Sequence, residues 1–367
     1  MTDKERWLAA LKCEPVDRLP FWAKIGSSYP PYQVEPFRSM NVGDIHKWVG
    51  SNPPVGSAAC VKVVRKETST KSYQENGTRV TEYITPAGTL TAVNKYDSGS
   101  HSWHPIEFPV KQREDIEAMT LFLSDATCEF DSDQLDKALA TVENVGENGV
   151  VTTGIGVSPL MDWIQHLAGI ENAHFMLWDY REDVEALFEA MHALLCRRAE
   201  IIAEKSPADV VFSTENTSTT LISPAMFRQY SYKHLVDYGS IVSSAGKMHL
   251  LHMCGLLKDI LPDIAELPAV GIEAFTSPTL GDTTLKDGRT VCSDKCLVGG
   301  TNATLWTRPT EEIFAQIKHD LDELPHHRGI VLTSAGVMTP LCKPETIKEV
   351  ANLVKSYPVS NNYNLKG

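Results

Sequence analysis

The chain predicts a (β/α)8 TIM-type barrel with an inserted β-hairpin. Three observations lead there. Eight short apolar or β-branched runs recur along the 367 residues, amphipathic helical segments separate most of them, and one stretch breaks the alternation with antiparallel turn chemistry. At this length, with 42% hydrophobic residues, the chain can bury the core of a single barrel-type domain. Residues 1–367 are read as that domain, with 66–104 as the insertion.

The expected strands are residues 20–25 (PFWAKI), 58–65 (AACVKVVR), 149–155 (GVVTTGI), 209–214 (DVVFST), 247–252 (KMHLLH), 270–276 (VGIEAFT), 296–301 (CLVGGT) and 329–334 (GIVLTS). Helices are expected between them. Over 181–204, Val184, Leu187, Phe188, Met191, Leu194 and Leu195 fall at helical spacing. Ser223-Pro224 caps and opens 224–237, residues 256–266 repeat the pattern, and Thr310-Glu311-Glu312 and Pro344-Glu345 open 311–323 and 344–356. Residues 66–104 differ: Asn76-Gly77 and Pro86-Ala87-Gly88 are turns between alternating strands, so the segment reads as a hairpin over one barrel end.

A net charge of −13, with no block of Lys or Arg, argues against nucleic acid and anionic membrane surfaces as partners. Small molecules and other proteins remain, and self-association into a homo-oligomer is compatible with the chain. The opening residues carry no apolar signal core and no run reaches membrane-spanning length, so a cytoplasmic location is expected. Eight scattered cysteines then read as reduced thiols.

The segment HLLHMCG carries the most chemistry. His252 ends the fifth expected strand and Cys254 opens the loop after it, at the barrel end where catalytic groups collect. Imidazole and thiolate suit zinc, although a satisfied core pair is the competing reading. Glu215 after the fourth strand, Glu273 within the sixth and Cys342 after the eighth are candidates to complete a metal site. Glu273 has an alternative as an ion pair with a nearby Lys or Arg, Glu215 as a solvated loop acid, and Cys342, beside Pro344, is expected to point outward. Cys292 and Cys296 read as structural, and His101, His104, His326 and His327 as solvated.

Taken in order, LISPAMFRQYSYKHL, GKMHLLHMCG, VGIEAFTSPTLGD, LVGGTNAT and VLTSAGVMTPLCKPETI resemble successive segments of the uroporphyrinogen decarboxylase superfamily. That resemblance implies a distorted barrel and one of two chemistries: decarboxylation of a porphyrinogen, or zinc-dependent methyl transfer involving a corrinoid protein. Decarboxylases hold their anionic substrate with arginines after the first strand, where this chain has AKIGSSYPPYQ, without arginine. The resemblance therefore favours the methyltransferase branch. In its thiol-methylating members a His-x-Cys pair and a later cysteine hold zinc. His252 and Cys254 match the pair, but Val337 follows Gly336 where the last cysteine belongs.

The resulting expectation is a zinc enzyme moving a methyl group from a methylated small molecule, such as a methoxylated aromatic, to the cobalt of a separate corrinoid protein. His252, Cys254 and Glu273 are the expected zinc ligands, and Glu215 is the expected proton donor to the leaving oxygen. The reverse transfer to a thiol and porphyrinogen decarboxylation are the alternatives. No cobalamin-binding domain is evident, so the cobalt is expected on the partner.

Overall fold

The computed structural model describes residues 1–362. Eight parallel strands form one curled sheet: Phe21–Trp22, Val55–Gly56, Val151–Gly156, Val210–Thr214, Met248–His252, Gly271–Phe275, Cys296–Gly299 and Ile330–Thr333. Counted along the chain, they lie in the order 1-8-7-6-5-4-3-2. Between the first and second strands the ladder gives way to a seam. There the Asn52 N–H donates to the Phe21 carbonyl and the Ser51 hydroxyl accepts from the Ala23 N–H, at 2.9 Å each. The fold is thus the expected barrel, distorted at one joint.

Two apolar layers follow from the two-residue period of the strands. Val210, Leu250, Cys296, Val298 and Val331 point inward and pack with Trp7 and Leu11 of the N-terminal helix Asp3–Leu11, which plugs the barrel's lower end. Their neighbours Val211, Leu251, Leu297, Ile330 and Leu332 face the surrounding helices. The plug helix has a capping box between Thr2 and Glu5. Among the described residues, no helix is long and apolar enough to cross a membrane.

Two expectations are corrected. The second barrel strand is Val55–Gly56, not residues 58–65. Val61–Val64 instead pairs antiparallel with Thr127–Phe130, with Val61 buried and Lys62 and Val63 exposed. The insertion is also larger than a hairpin. Ser69–Glu75, Thr78–Thr85, Gly88–Asp97 and Ser102–Glu107 form a four-stranded antiparallel meander. Its first turn is the expected one, with Asn76 and Gly77 both at positive φ, 49° and 76°.

The later helices fall as expected, at Arg181–Lys205, Thr310–Asp322 and Pro344–Ser356. Residues 224–244 are helical throughout, with a π-turn at Phe227–Ser231. A second π-turn, Trp163–Leu167, follows the third strand. All eight cysteines are free, and Cys292 and Cys296 are fully buried. His326 and His327 are buried rather than solvated, because the loop folds inward: His327 bonds through its two ring nitrogens to Leu321 O and Ser360 N.

Candidate active site at the barrel mouth

Inward-facing Leu250 fixes the phase of the fifth strand, so His252, two residues on, faces inward at its C-terminal end. In the parallel ladder His252 is the register partner of Glu273 on the sixth strand. Their side chains meet: His252 Nδ1 donates to Glu273 Oε2. Lys24, just past the first strand, donates from Nζ to Glu273 Oε1 and to the Ala335 carbonyl, both at 2.5 Å. Both carboxylate oxygens are engaged. This is the ion pair weighed as the alternative for Glu273, with an imidazole added.

The electrostatics follow from the geometry. Burial would raise the pKa of Glu273, which is 1% exposed, but His252 and Lys24 hold it below the usual carboxylate value. Burial pulls His252 the other way; its hydrogen bonds to Cys254 and Glu273, with the Glu273 charge, outweigh burial and raise it to about 9. The Cys254 thiol, exposed in the loop, donates to Asn216 Oδ1 at 3.4 Å. The Phe212 ring lies 6.1 Å from that of His252, and Lys24 Nζ stands 5.0 Å over Trp22.

The backbone around this cluster is held in sparsely populated conformations. Lys24, Asn216, Ala274 and Ala335 all have positive φ, between 49° and 61°, and lie at the C-terminal ends of the first, fourth, sixth and eighth strands. Ala274 coincides with a register shift between Glu273 and Phe275, a bulge in the strand that presents Glu273. Strain of this kind concentrates at functional sites. Gly255 has a simpler reason. A Cβ there would lie 2.1 Å from that of Ser218, so only glycine lets the loop after Cys254 pass the preceding one.

The other two candidates are placed elsewhere. Glu215 is 0% exposed, not solvated, and its carboxyl accepts from Ser158 Oγ at 2.6 Å and Ser158 N at 3.1 Å. Burial raises its pKa to about 7 against those bonds. Only its backbone touches His252, through N–H to carbonyl at 2.9 Å. Cys342 does not point outward; it is 2% exposed in the outer core, where burial pushes its thiol up to about 12. Lys24 was missed as a site residue, although a lysine inside the apolar run PFWAKI was a signal.

Among the described residues, no group of three or more His, Cys, Asp or Glu side chains is arranged to hold a metal ion. The donor set nevertheless suits one. A carboxylate on Nδ1 fixes the imidazole so that Nε2 is the free nitrogen, the orientation carboxylates give to zinc-binding histidines, and the thiol lies alongside.

The molecule is thus an α/β barrel with a histidine, thiol and carboxylate cluster at its C-terminal mouth. Residues 105–357 match the model of the family described as uroporphyrinogen decarboxylase (URO-D), and the chain belongs to that family. The methylcobamide:CoM methyltransferase MtaA of Methanosarcina barkeri is 27% identical over 188 residues, covering 47% of this chain and 50% of that protein. The chain thus matches about half the length of this curated relative. A solved methyltransferase structure from Methanosarcina mazei superposes with a TM-score of 0.58 at 19% identity, covering 96% of this chain and 98% of that one, and shares its fold.

Proposed function

We propose that the protein is a zinc-dependent methyltransferase that moves a methyl group from a methylated small molecule, most simply a methoxylated aromatic, to cobalt on a separate corrinoid protein. The observation that carries this reading is the commitment of His252 Nδ1 to Glu273, which leaves Nε2 uncommitted, two residues before the exposed Cys254 thiol. MtaA, by its name a methylcobamide:CoM methyltransferase, supports the corrinoid link.

His252 Nε2 and Cys254 Sγ are the proposed ligands, and Glu273 orients the imidazole rather than binding the ion. Zinc, when bound, supplies a Lewis acid for the oxygen from which the methyl group departs. Lys24 keeps Glu273 ionised, and Trp22 and Phe212 supply apolar surface near the cluster. In the overall exchange the C–O bond breaks with its electron pair left on oxygen, the carbon–cobalt bond forms with the electron pair that the reduced cobalt(I) brings, and the oxygen takes up a proton from solvent. Glu215, enclosed and tied to Ser158, joins the loops after the third and fourth strands.

A thiol acceptor, with transfer in the reverse direction, is the second reading, and the name of MtaA favours it. Val337, 59% exposed where the thiol-methylating pattern has its last cysteine, weighs against it. Visible absorption of a corrinoid protein, supplied once in its reduced cobalt(I) form and once in its methyl–cobalt form, separates the two. Methyl–cobalt formation with methoxylated aromatics supports the first reading; methyl–cobalt loss only with thiols supports the second. No change with any donor or acceptor removes both.

A further inference from the structure

Three consecutive loops at the barrel mouth are joined by a chain of side-chain amides. Cys254 Sγ, after the fifth strand, lies 3.4 Å from Asn216 Oδ1, after the fourth. Asn216 Nδ2 lies 2.9 Å from Gln165 Oε1, in the π-turn after the third strand. Gln165 Nε2, at the far end, is buried with no hydrogen-bond partner among the described residues. A buried N–H without an acceptor is the costly kind of unsatisfied group.

Turning both amides by 180° keeps every heavy-atom position and changes the chemistry. Gln165 Nε2 then donates to Asn216 Oδ1 at the same 2.9 Å, and the buried position without a partner passes to Oε1, a carbonyl oxygen, which is the less costly group to leave unmatched. Asn216 Nδ2 then points its N–H at the Cys254 sulfur, 3.4 Å away. A sulfur bound to a metal carries no proton to give to Oδ1 but accepts readily from N–H. The flipped pair is the arrangement that a ligating sulfur requires.

We infer that Asn216 and Gln165 are positioning residues for the metal site, with Asn216 donating to the Cys254 sulfur and Gln165 holding the Asn216 amide in that orientation. The inference rests on the metal reading above. Asn216 suits the task because asparagine tolerates its φ of 50°, and the π-turn sets Gln165 within reach. The donated N–H draws charge from sulfur and so keeps the bound metal a stronger Lewis acid.

The test is cobalt(II) binding to the full chain at pH 8, read by the sulfur-to-cobalt charge-transfer band and by chelator competition. Asn216→Gly deletes the amide at a backbone that glycine accepts, and Gln165→Glu offers an anionic acceptor that turns Asn216 Nδ2 away from sulfur. Both variants are expected to move the band to lower energy and to weaken binding by ~10- to 100-fold, the range for lost outer-shell partners. Gln165→Met serves in place of Gln165→Glu if that chain does not fold. Variants with wild-type band and affinity overturn the inference and leave the metal reading standing. Weaker binding with an unmoved band also overturns it, as a merely structural effect. A wild-type protein without the band removes the metal reading, and the inference with it.

Discussion

Glu273 stands opposite His252 across two parallel strands and accepts a hydrogen bond from its Nδ1. Lys24 occupies the other oxygen of the same carboxylate. One buried anion thus serves two cations, and the imidazole is fixed in orientation before anything binds at its free nitrogen.

Removing that anion's charge releases the histidine. In metal-free Glu273→Gln the His252 pKa is expected to fall from about 9 toward the usual imidazole value, measured by NMR titration of the ring. A His252 pKa still near 9 in the variant contradicts the pairing. Because the folded pKa is raised, His252 contributes its full stability below pH ~6.5 and loses it as pH rises through about 9. Denaturant midpoints of the metal-free protein across pH 6 to 10 read that loss, which should be smaller in Glu273→Gln.

Truncation exposes the cost of the remaining charges. Glu273→Ala leaves Lys24 unpaired with its side chain 10% exposed, and is expected to destabilise by roughly 3–5 kcal/mol. Adding Lys24→Met to that variant should recover part of the loss. Additive effects of the two substitutions in chemical denaturation would show that the ion pair contributes nothing.

Glu215 should make the fold less stable as pH rises. Its folded pKa of about 7 exceeds the usual carboxylate value, so the native state binds the extra proton and stability declines between pH ~4.5 and about 7. Glu215→Gln should flatten that decline, with a gain on the order of 1–3 kcal/mol at pH 8 relative to pH 5. An unchanged pH profile would show that the carboxyl is not held protonated by burial.

Gly255 permits a loop crossing that no other residue fits. Gly255→Ala meets Ser218 Cβ at 2.1 Å and its backbone Cα at 2.6 Å, so one loop must shift. A destabilisation of about 1–3 kcal/mol is expected, together with weaker metal binding because Cys254 is the adjacent residue. Wild-type metal affinity in this variant would separate the crossing from the site.

The barrel was legible because most of its later strands, such as Gly271–Phe275, Cys296–Gly299 and Ile330–Thr333, are buried along their whole length, and burial on both sides of a parallel sheet leaves an apolar run. The second strand was not, since Val55–Gly56 is two exposed residues and the β-prone run beyond it pairs with a segment 66 positions away, Val61 with Phe130 and Val64 with Thr127 at the ends. Position did identify His252, Cys254 and Glu273 as neighbours at one mouth. Their roles depend on register: His252 faces Glu273 across the ladder, and only coordinates show that Lys24, 249 residues from Glu273 along the chain, takes the second oxygen. Cys342 and His326–His327 were misplaced because loops carry no periodicity from which to read burial.

A zinc ion held by one imidazole nitrogen and one thiolate at the barrel mouth is what the proposed chemistry needs, and zinc-edge X-ray absorption of protein purified without chelators detects it. About one zinc per chain is expected, with a single sulfur at ~2.3 Å and nitrogen or oxygen ligands at ~2.0–2.1 Å, the sulfur being lost in Cys254→Ser. A protein that retains no zinc, or a zinc shell whose sulfur persists in Cys254→Ser, would contradict it.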